Sequence, residues 1–399
     1  MEGSDKEKEN TIYKEIIENY IIKNKKVYKI KDINNIVINF EKLGGGMNKN
    51  YLIKIENKEN NENHKFFFRY FNELIKTFDR KKEVEIIKKL GEMGYGPKLL
   101  DFDYENEKYR IDEYLDEAID LPYEEIFNEN ILNELIIIIN NYSRITDIYK
   151  YEIKEEDNLN YEIKLIQEGN NSFYINKNIY DNLLNNTYYK AKKNFDKFNK
   201  DYNEYSIRDD KLNDINMNKI KYILNNFKNL FTIFFNKKGF FILNHHDLYR
   251  LNILKNKITN KIYIIDNEFS CLSLIGFDII WYLLMSIFRY FPKYEYHPNL
   301  MNYDKFYIIY QKYLECFIKT NQEWINNKEE RSKYIESLKN EKYFCELLCV
   351  ANLFAILFGL LDLNFNKDSI IETCEPFYIN VLNRIELFDF SYEKYKNIK

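Results

Sequence analysis

The stretch Phe241–Asp278, FILNHHDLYRLNILKNKITNKIYIIDNEFSCLSLIGFD, constrains this chain more than any other. In it, His245-His246-Asp247 is followed by Asn252, five residues after the Asp. An apolar run, Ile262-Tyr263-Ile264-Ile265, then ends on Asp266, with Glu268 two residues further on. Gly276-Phe277-Asp278 closes the stretch. An apolar β-branched and aromatic run that stops at an acid reads as a strand delivering a carboxylate to a loop. The order loop, strand, acid is what a shared polar site requires. Asp and Asn before a strand are also ordinary turn residues, so spacing alone leaves that reading open.

Asp-x-x-x-x-Asn followed by a strand ending in Asp is the spacing of a phosphoryl-transfer catalytic loop and its metal-binding acid. In such a loop one carboxylate takes or orients the proton of an attacking hydroxyl. An amide oxygen and a second carboxylate hold magnesium against the phosphates.

A chain of 399 residues can form two domains or one large two-lobed domain. With 45% hydrophobic and 31% charged residues, it can bury a sizeable core. A net charge of -4 argues against a general nucleic-acid binder. The five cysteines, Cys271, Cys316, Cys345, Cys349 and Cys374, include no CxxC pair, so neither a disulfide framework nor a zinc site is expected. The polar, charged start of the chain lacks an apolar segment of signal type, and a cytoplasmic protein is expected. Phe344–Leu363 has the length of a membrane span but contains Glu346, Asn352 and Asp362. A buried helix is expected there, and no transmembrane segment.

In chain order, residues 1–11 read as a disordered lead, and residues 12–24 have helical apolar spacing. Residues 36–41 and 51–56 read as strands on either side of Leu43-Gly44-Gly45-Gly46-Met47-Asn48-Lys49-Asn50. Glycines between strands let a backbone approach phosphates, although such a run also makes a plain hairpin. The run is not a P-loop. Lys65–Tyr70 is a third strand with Arg69 near its end, where a kinase-like small lobe places its phosphate-binding cation. Residues 79–90 form an amphipathic helix whose Glu83 could pair with Arg69 or simply face solvent. Residues 99–115 read as a hairpin, and the acidic segment 112–122 as a hinge. Helices are expected at 128–150 and 218–236, and then at Ile279–Phe291, Tyr303–Thr320, Lys333–Leu363 and Ile370–Phe388. Residues 151–217 are rich in Asn, Lys, Asp and Tyr and carry no functional motif. The order predicts an α+β, two-lobed protein-kinase-like fold. Residues 12–117 would be a β-rich N-terminal ATP-binding lobe, and 118–399 a mostly helical catalytic and substrate lobe.

Taken together, these residues make the chain similar to the choline/ethanolamine kinases, relatives of aminoglycoside phosphotransferases with a kinase-like fold. Gly45-Gly46-Met47-Asn48 resembles that family's glycine loop, and Phe68-Arg69-Tyr70 its phosphate-binding strand. Arg80 with Glu83, Gly96-Pro97-Lys98-Leu99 and Arg110–Leu115 resemble its helix C, the turn after it and its hinge. His245-His246-Asp247 stands where the family has His-Asn-Asp. Asn252-Ile253-Leu254, Ile265–Phe269, Gly276–Ile279 and the late helix Phe354–Leu360 follow in the same order.

The resemblance implies Asp247 as catalytic base, with Asn252 beside it. It implies Asn252 and Asp266 as magnesium ligands, with Glu268 next to the metal. Gly45, Gly46, Asn48, Arg69 and Glu83 would bind ATP. Trp281, Tyr282, Phe354 and Phe358 would line the substrate pocket. The implied reaction is ATP- and magnesium-dependent phosphorylation of choline or ethanolamine, feeding phospholipid synthesis by the Kennedy pathway. The partner is a small amino alcohol, with no nucleic acid, and a homodimer is allowed for.

The chain departs from the family after Gly-Phe-Asp-Ile. Where the family has an Asn and then an acid, this sequence has Ile280, Trp281, Tyr282, Leu283, Leu284 and Met285. Phe358 and Leu361 stand where the late helix of choline kinases has two Trp. Two alternatives therefore stay open: a same-fold kinase for another small alcohol, and a non-catalytic nucleotide-binding relative.

Overall fold

Period-two alternation organises the first part of the chain. The computed structural model describes residues 2–44, 48–72, 79–145, 151–152, 164–165, 187–205, 214–235, 240–289, 295–326, 329–361 and 370–398. They fall into two compact units, one of Met1–Asp120 with Leu254–Glu268, the other of Leu121–Ile253 with Phe269–Lys399.

The first unit starts with helix α1 (Glu2–Lys23), followed by strands β1 (Ile36–Lys42), β2 (Lys49–Asn57) and β3 (Glu62–Tyr70). Residues 1–11 were expected as a disordered lead, but the helix already runs from Glu2. Tyr13, Ile17, Tyr20 and Ile21 anchor its second half in the core, and the Glu- and Lys-rich first half, made of good helix formers, extends it. Helix α2 (Arg80–Met93) follows, then β4 (Leu99–Phe102), β5 (Tyr109–Glu113) and β6 (Ala118–Asp120). The first five strands form an antiparallel sheet in the order β1-β2-β3-β5-β4. On β3, Phe66 and Phe68 point to one face and join the α1 core. Arg69, one residue out of phase, points to the other.

Helix α2 begins where Asp79 accepts the backbone N–H of Lys82, and ends at Gly94, whose φ of 75° suits glycine. Gly91, in its last turn, is a close approach: a Cβ there would lie 2.9 Å from Lys98 Cα. This lets the chain turn directly under the helix into β4.

The second unit opens with α3 (Glu129–Tyr142), capped by Asn128. Residues 146–150, expected in the same helix, lie outside the described residues. Short strands β7 (Tyr151–Glu152) and β8 (Lys164–Leu165) precede helices α4 (Thr187–Tyr205) and α5 (Asp214–Phe235). Strand β9 (Phe240–Asn244) then leads into the loop with Asp247. The chain returns to the first unit through β10 (Ile253–Asn256) and β11 (Ile262–Ile264). β10 pairs antiparallel with β6, matching Leu254 to Asp120. The segment read as a bare hinge thus carries a strand.

Back in the second unit, β12 (Cys271–Leu274) pairs with β9, and α6 (Phe277–Met285) follows at once. A helix was expected from Ile279 to Phe291. It stops at Met285, because Ser286 caps it, and Phe288–Arg289 turns into a two-residue strand, β13, paired with β14 (Glu295–Tyr296). Helix α7 (Tyr303–Thr320) matches its expected bounds, and a short α8 (Gln322–Asn326) follows. The helix expected over Lys333–Leu363 is two, α9 (Glu329–Leu338) and α10 (Glu341–Leu361). Asn340 separates them and caps the second, accepting the N–H of Lys342 at 2.8 Å. α11 (Ile370–Asn397) ends the chain. Glu341–Leu360 is the one described helix long and apolar enough to cross a membrane, and it is 94% buried inside the fold.

Candidate active site

In the first unit, Arg69 sits opposite Asn50 across the β2–β3 pair, and its Nε donates to Asn50 Oδ1 at 3.0 Å. Cross-strand partners on one face are natural neighbours. Arg69 Nη1 donates to Asp266 Oδ1 at 2.7 Å and lies 3.6 Å from Glu83 Oε1. Glu83 Oε2 accepts from Arg80 Nη1 at 2.8 Å, and Glu83 Oε1 also accepts from Arg110. Glu268 Oε2 accepts from Arg80 Nη1 at 3.0 Å and from Asn48 Nδ2 at 3.1 Å. Arg110 Nε donates to Asp112 Oδ2 at 2.8 Å.

Three guanidiniums thus meet four carboxylates, nearly all buried. Burial works to lower the pKa of Arg69, but the charges of Asp266 and Glu83 outweigh it and hold the guanidinium firmly protonated. Burial, and after it the charge of Asp266, pushes the Glu268 carboxyl up. Burial also raises Asp112, whose Oδ1 has no hydrogen-bond partner among the described residues. The cluster is therefore slightly over-supplied with negative charge. Its single half-exposed member is Asp266, 31% exposed at the side chain. Asp266 also has φ 63°, a left-handed backbone that a residue other than glycine keeps only where its surroundings impose it.

Sequence reasoning selected Asn48, Arg69, Glu83, Asp266 and Glu268, and the fold brings these five together. Gly45 and Gly46 lie outside the described residues. Arg80, Arg110, Asp112 and Asn50 complete the cluster and were not selected as site residues. Two signals were available: Arg80 and Glu83 stand three apart on a helix, and Arg110 and Asp112 alternate on a strand.

The second unit holds the loop between β9 and β10. Asn252 Nδ2 donates to Asp247 Oδ2 at 2.9 Å and to the Asp247 carbonyl at 2.8 Å. Asp278, in the first turn of α6, accepts the backbone N–H of His245 at 2.7 Å and that of His246 at 3.0 Å. Asp247 is half-buried, whereas Asp278 is fully buried. Burial pushes the Asp278 carboxyl up to about 7, against the pull of the two N–H donors. Between them, His246 has φ 66°. Such a backbone costs about 1–3 kcal/mol in a residue with a β-carbon. Stacking of His246 on Phe277, with ring centroids 4.4 Å apart, returns about 0.5–1.5 kcal/mol. A hydrogen bond to a charged carboxylate returns about 1.5–3 kcal/mol. Asp278 belongs to a motif noted in the sequence but was not selected as a site residue.

Of the residues expected around a substrate, Trp281, Tyr282 and Phe354 are 5%, 0% and 1% exposed. Phe277 links two of them, stacked on Trp281 and edge-on to Phe354. Phe358 is half-buried and edge-on to Phe269. A small cleft opens nearby in sequence, lined by Ile126, Tyr249, Arg250, Leu251, Met285 and Phe288. Against Met285 lies the buried Arg384, its Nη2 3.0 Å from Met285 Sδ and its Cζ 3.8 Å from the Phe288 ring centre.

No group of three or more His, Cys, Asp or Glu side chains that could hold a metal occurs among the described residues. Magnesium asks for less, since one or two carboxylates suffice when phosphate oxygens and waters complete its shell. Asp266 offers a half-exposed carboxylate. Asn252, with its nitrogen committed to Asp247, has its amide oxygen as the atom that can meet a cation. Each is an oxygen donor of the kind magnesium accepts. Glu268 Oε2 is taken up by Arg80 and Asn48.

None of the curated proteins searched matches the chain. Among solved structures, a choline kinase from Cryptosporidium parvum Iowa II is similar, with a TM-score of 0.63, 16% identity and 96% of each chain covered. That likeness shows a common fold. An ethanolamine kinase from Plasmodium vivax is 16% identical over 90% of this chain and 85% of that one, with a TM-score of 0.48. The family model described as choline/ethanolamine kinase matches residues 40–396, taking in both units and every site residue named above. On that match, the chain belongs to the choline/ethanolamine kinase family and is a phosphotransferase that acts on an alcohol.

Proposed function

We propose that the chain transfers the γ-phosphoryl group of ATP to the hydroxyl of choline or ethanolamine, giving phosphocholine or phosphoethanolamine for phospholipid synthesis by the Kennedy pathway. The observation that carries this reading is the pairing of Asp247 with Asn252, at 2.9 Å between Oδ2 and Nδ2. It holds a half-buried carboxylate with one oxygen fixed, as a base for an alcohol proton must be. Asp247 orients the hydroxyl and takes its proton as the O–P bond forms. Arg69, fixed by Asn50, Glu83 and Asp266, offers its cation to the phosphates. Asn252 and Asp266 are the magnesium ligands. Bound magnesium supplies charge neutralisation to the transferring phosphoryl. Cytoplasmic location and a homodimer accord with this reading.

A second reading, another small alcohol as acceptor, is favoured by the burial of Trp281, Tyr282 and Phe354 and by the guanidinium of Arg384 behind Met285. A quaternary ammonium favours exposed aromatic faces and nearby acids over a cation. Purified protein with magnesium and ATP, given choline, ethanolamine and a panel of neutral alcohols, decides between the two. The leading reading expects turnover of choline or ethanolamine, abolished in a folded Asp247→Ala variant. Turnover of a neutral alcohol alone establishes the second reading. ATP binding without any turnover defeats both.

A further inference from the structure

We infer that His246 is a positioning residue, and that its imidazole, stacked on Phe277, holds Asp247 in its working orientation. The inference rests on the phosphotransfer reading of Asp247.

His246 immediately precedes Asp247, and its backbone turns through φ 66°. The clamp from Asp278 fixes the backbone N–H of His246 at 3.0 Å, and beyond its Cα the Asp247 N–H donates to His245 Nδ1 at 3.3 Å while Asn252 holds the Asp247 carbonyl and carboxylate. These bonds hold Asp247 only while the left-handed turn at His246 persists. The ring braces that turn. The imidazole lies nearly parallel to Phe277, at 4.4 Å and 23°, and edge-on to Phe354, at 6.0 Å and 75°. Phe277 is itself backed by Trp281 at 5.8 Å and 19°. Phe277 and Asp278 are neighbours in the first turn of α6, so a single helical turn supplies both the clamp on the N–H and the platform under the ring. At 7% exposure the imidazole is placed to act on Asp247 and not on a substrate.

Three substitutions separate this role from its rivals. Ala and Asn both remove the ring, but Asn accepts a positive φ far more readily than Ala. Phe keeps the ring and removes its nitrogens. His246→Ala is expected to lower kcat about tenfold or more, with KM for ATP and for the alcohol nearly unchanged. His246→Asn, which also lacks the ring, is expected to lose as much, and His246→Phe to stay within about threefold of the wild-type kcat. Thermal unfolding checks that each variant is folded. If His246→Ala does not fold, Phe277→Leu, which keeps apolar volume but removes the platform, is expected to show the same loss of kcat.

Activity kept in Asn but lost in Ala overturns the inference, since tolerance of the positive φ, and not the ring, then holds the turn. Loss in Phe also overturns it, since a ring nitrogen then does the work. Hydrogen exchange of the 245–252 amides in the full chain gives a readout free of catalysis. Exchange about tenfold faster in Ala and Asn, with Phe protected, is expected. Should wild-type protein turn over no alcohol, the function reading falls and the exchange pattern alone decides: equal exchange in all three variants overturns the role of His246.

Discussion

Arg69 is bonded more closely to Asp266, at 2.7 Å, than to Glu83, at 3.6 Å. Its Nε is fixed at the same time on Asn50. The guanidinium is thus held by two edges, and only a planar fork can satisfy both. Arg69→Lys keeps the charge and loses the fork. It is expected to remain folded while KM for ATP rises about tenfold or more. Arg69→Ala takes one of the three cations out of a buried cluster that already has an excess of carboxylates, and is expected to lower the unfolding temperature as well. Steady-state kinetics over ATP concentration and thermal melts read both effects. A wild-type KM in Arg69→Lys removes the residue from phosphate binding.

The buried Asp278 makes stability and activity respond to pH in opposite directions. Its carboxyl is raised from 3.8 to about 7 by burial. Below pH 3.8 folded and unfolded chains both hold the proton. Between about 4 and 7 the folded chain holds it and the unfolded chain does not, so this group's contribution to stability falls as pH rises. Above 7 the cost of the buried charge is fully present, on the order of 4 kcal/mol. The charged form is the better acceptor for the two N–H groups of His245 and His246. The phenol of Tyr313, pushed up by burial and by the charge of Asp278, also faces it and stays neutral throughout. kcat is therefore expected to rise from pH 6 to 8 while stability falls. Asp278→Asn, which cannot titrate, is expected to have lower kcat and a weaker dependence of stability on pH in that window. Equal slopes in the two proteins would exclude Asp278 as the titrating group.

How far the sequence led can be seen at particular residues. Strands β1 to β5 and helix α2 follow local rules, alternation on β3 and the Asp79 and Gly94 caps, and were found near their true bounds. β6 was not found. It is three residues long, in an acidic segment, and exists because β10, more than 130 residues later, pairs with it. The ends of α6 and of α9 were missed because single polar residues set them: Ser286 caps α6 although Ile287 and Phe288 continue its apolar run, and Asn340 starts a new helix just after α9.

The site divides in the same manner. Asp247, Asn252 and Asp266 were singled out by spacing, because phosphotransfer chemistry asks for those residue types in that order. Arg110 and Asp112 were passed over, because nothing in YRIDEYL says that its charges point inward. Only the neighbouring Glu83, drawn in from α2, makes that arrangement stable.

Gly276 ties the loop to the core. Its φ is 91°, and a Cβ there would lie 2.8 Å from Tyr310 Cε2 and 3.2 Å from Leu347 Cδ1, both on buried side chains. Gly276→Ala therefore combines backbone strain of about 1–3 kcal/mol with overpacking of about 1–3 kcal/mol. A loss of roughly 2–6 kcal/mol in denaturant unfolding is expected. Because Gly276 starts the helix that presents Asp278, kcat should fall even at temperatures where the variant is folded. A loss below about 1 kcal/mol would mean that the ring of Tyr310 moves aside freely.

Asn252 has two expected roles, and one substitution series separates them. Its nitrogen bridges the Asp247 carboxylate and carbonyl, at 2.9 and 2.8 Å. Its oxygen is the proposed magnesium ligand. Asn252→Ala removes both functions, so kcat should fall and the magnesium concentration giving half-maximal rate should rise about tenfold or more. Asn252→Asp keeps an oxygen ligand but sets a second carboxylate against Asp247. Like charges at that distance repel. Its kcat should be as low as that of the Ala variant while its magnesium requirement stays closer to wild type. Magnesium titrations at saturating ATP and alcohol make the comparison. If the half-saturating magnesium concentration is the same in wild type, Ala and Asp, then Asn252 holds Asp247 and does not bind the metal.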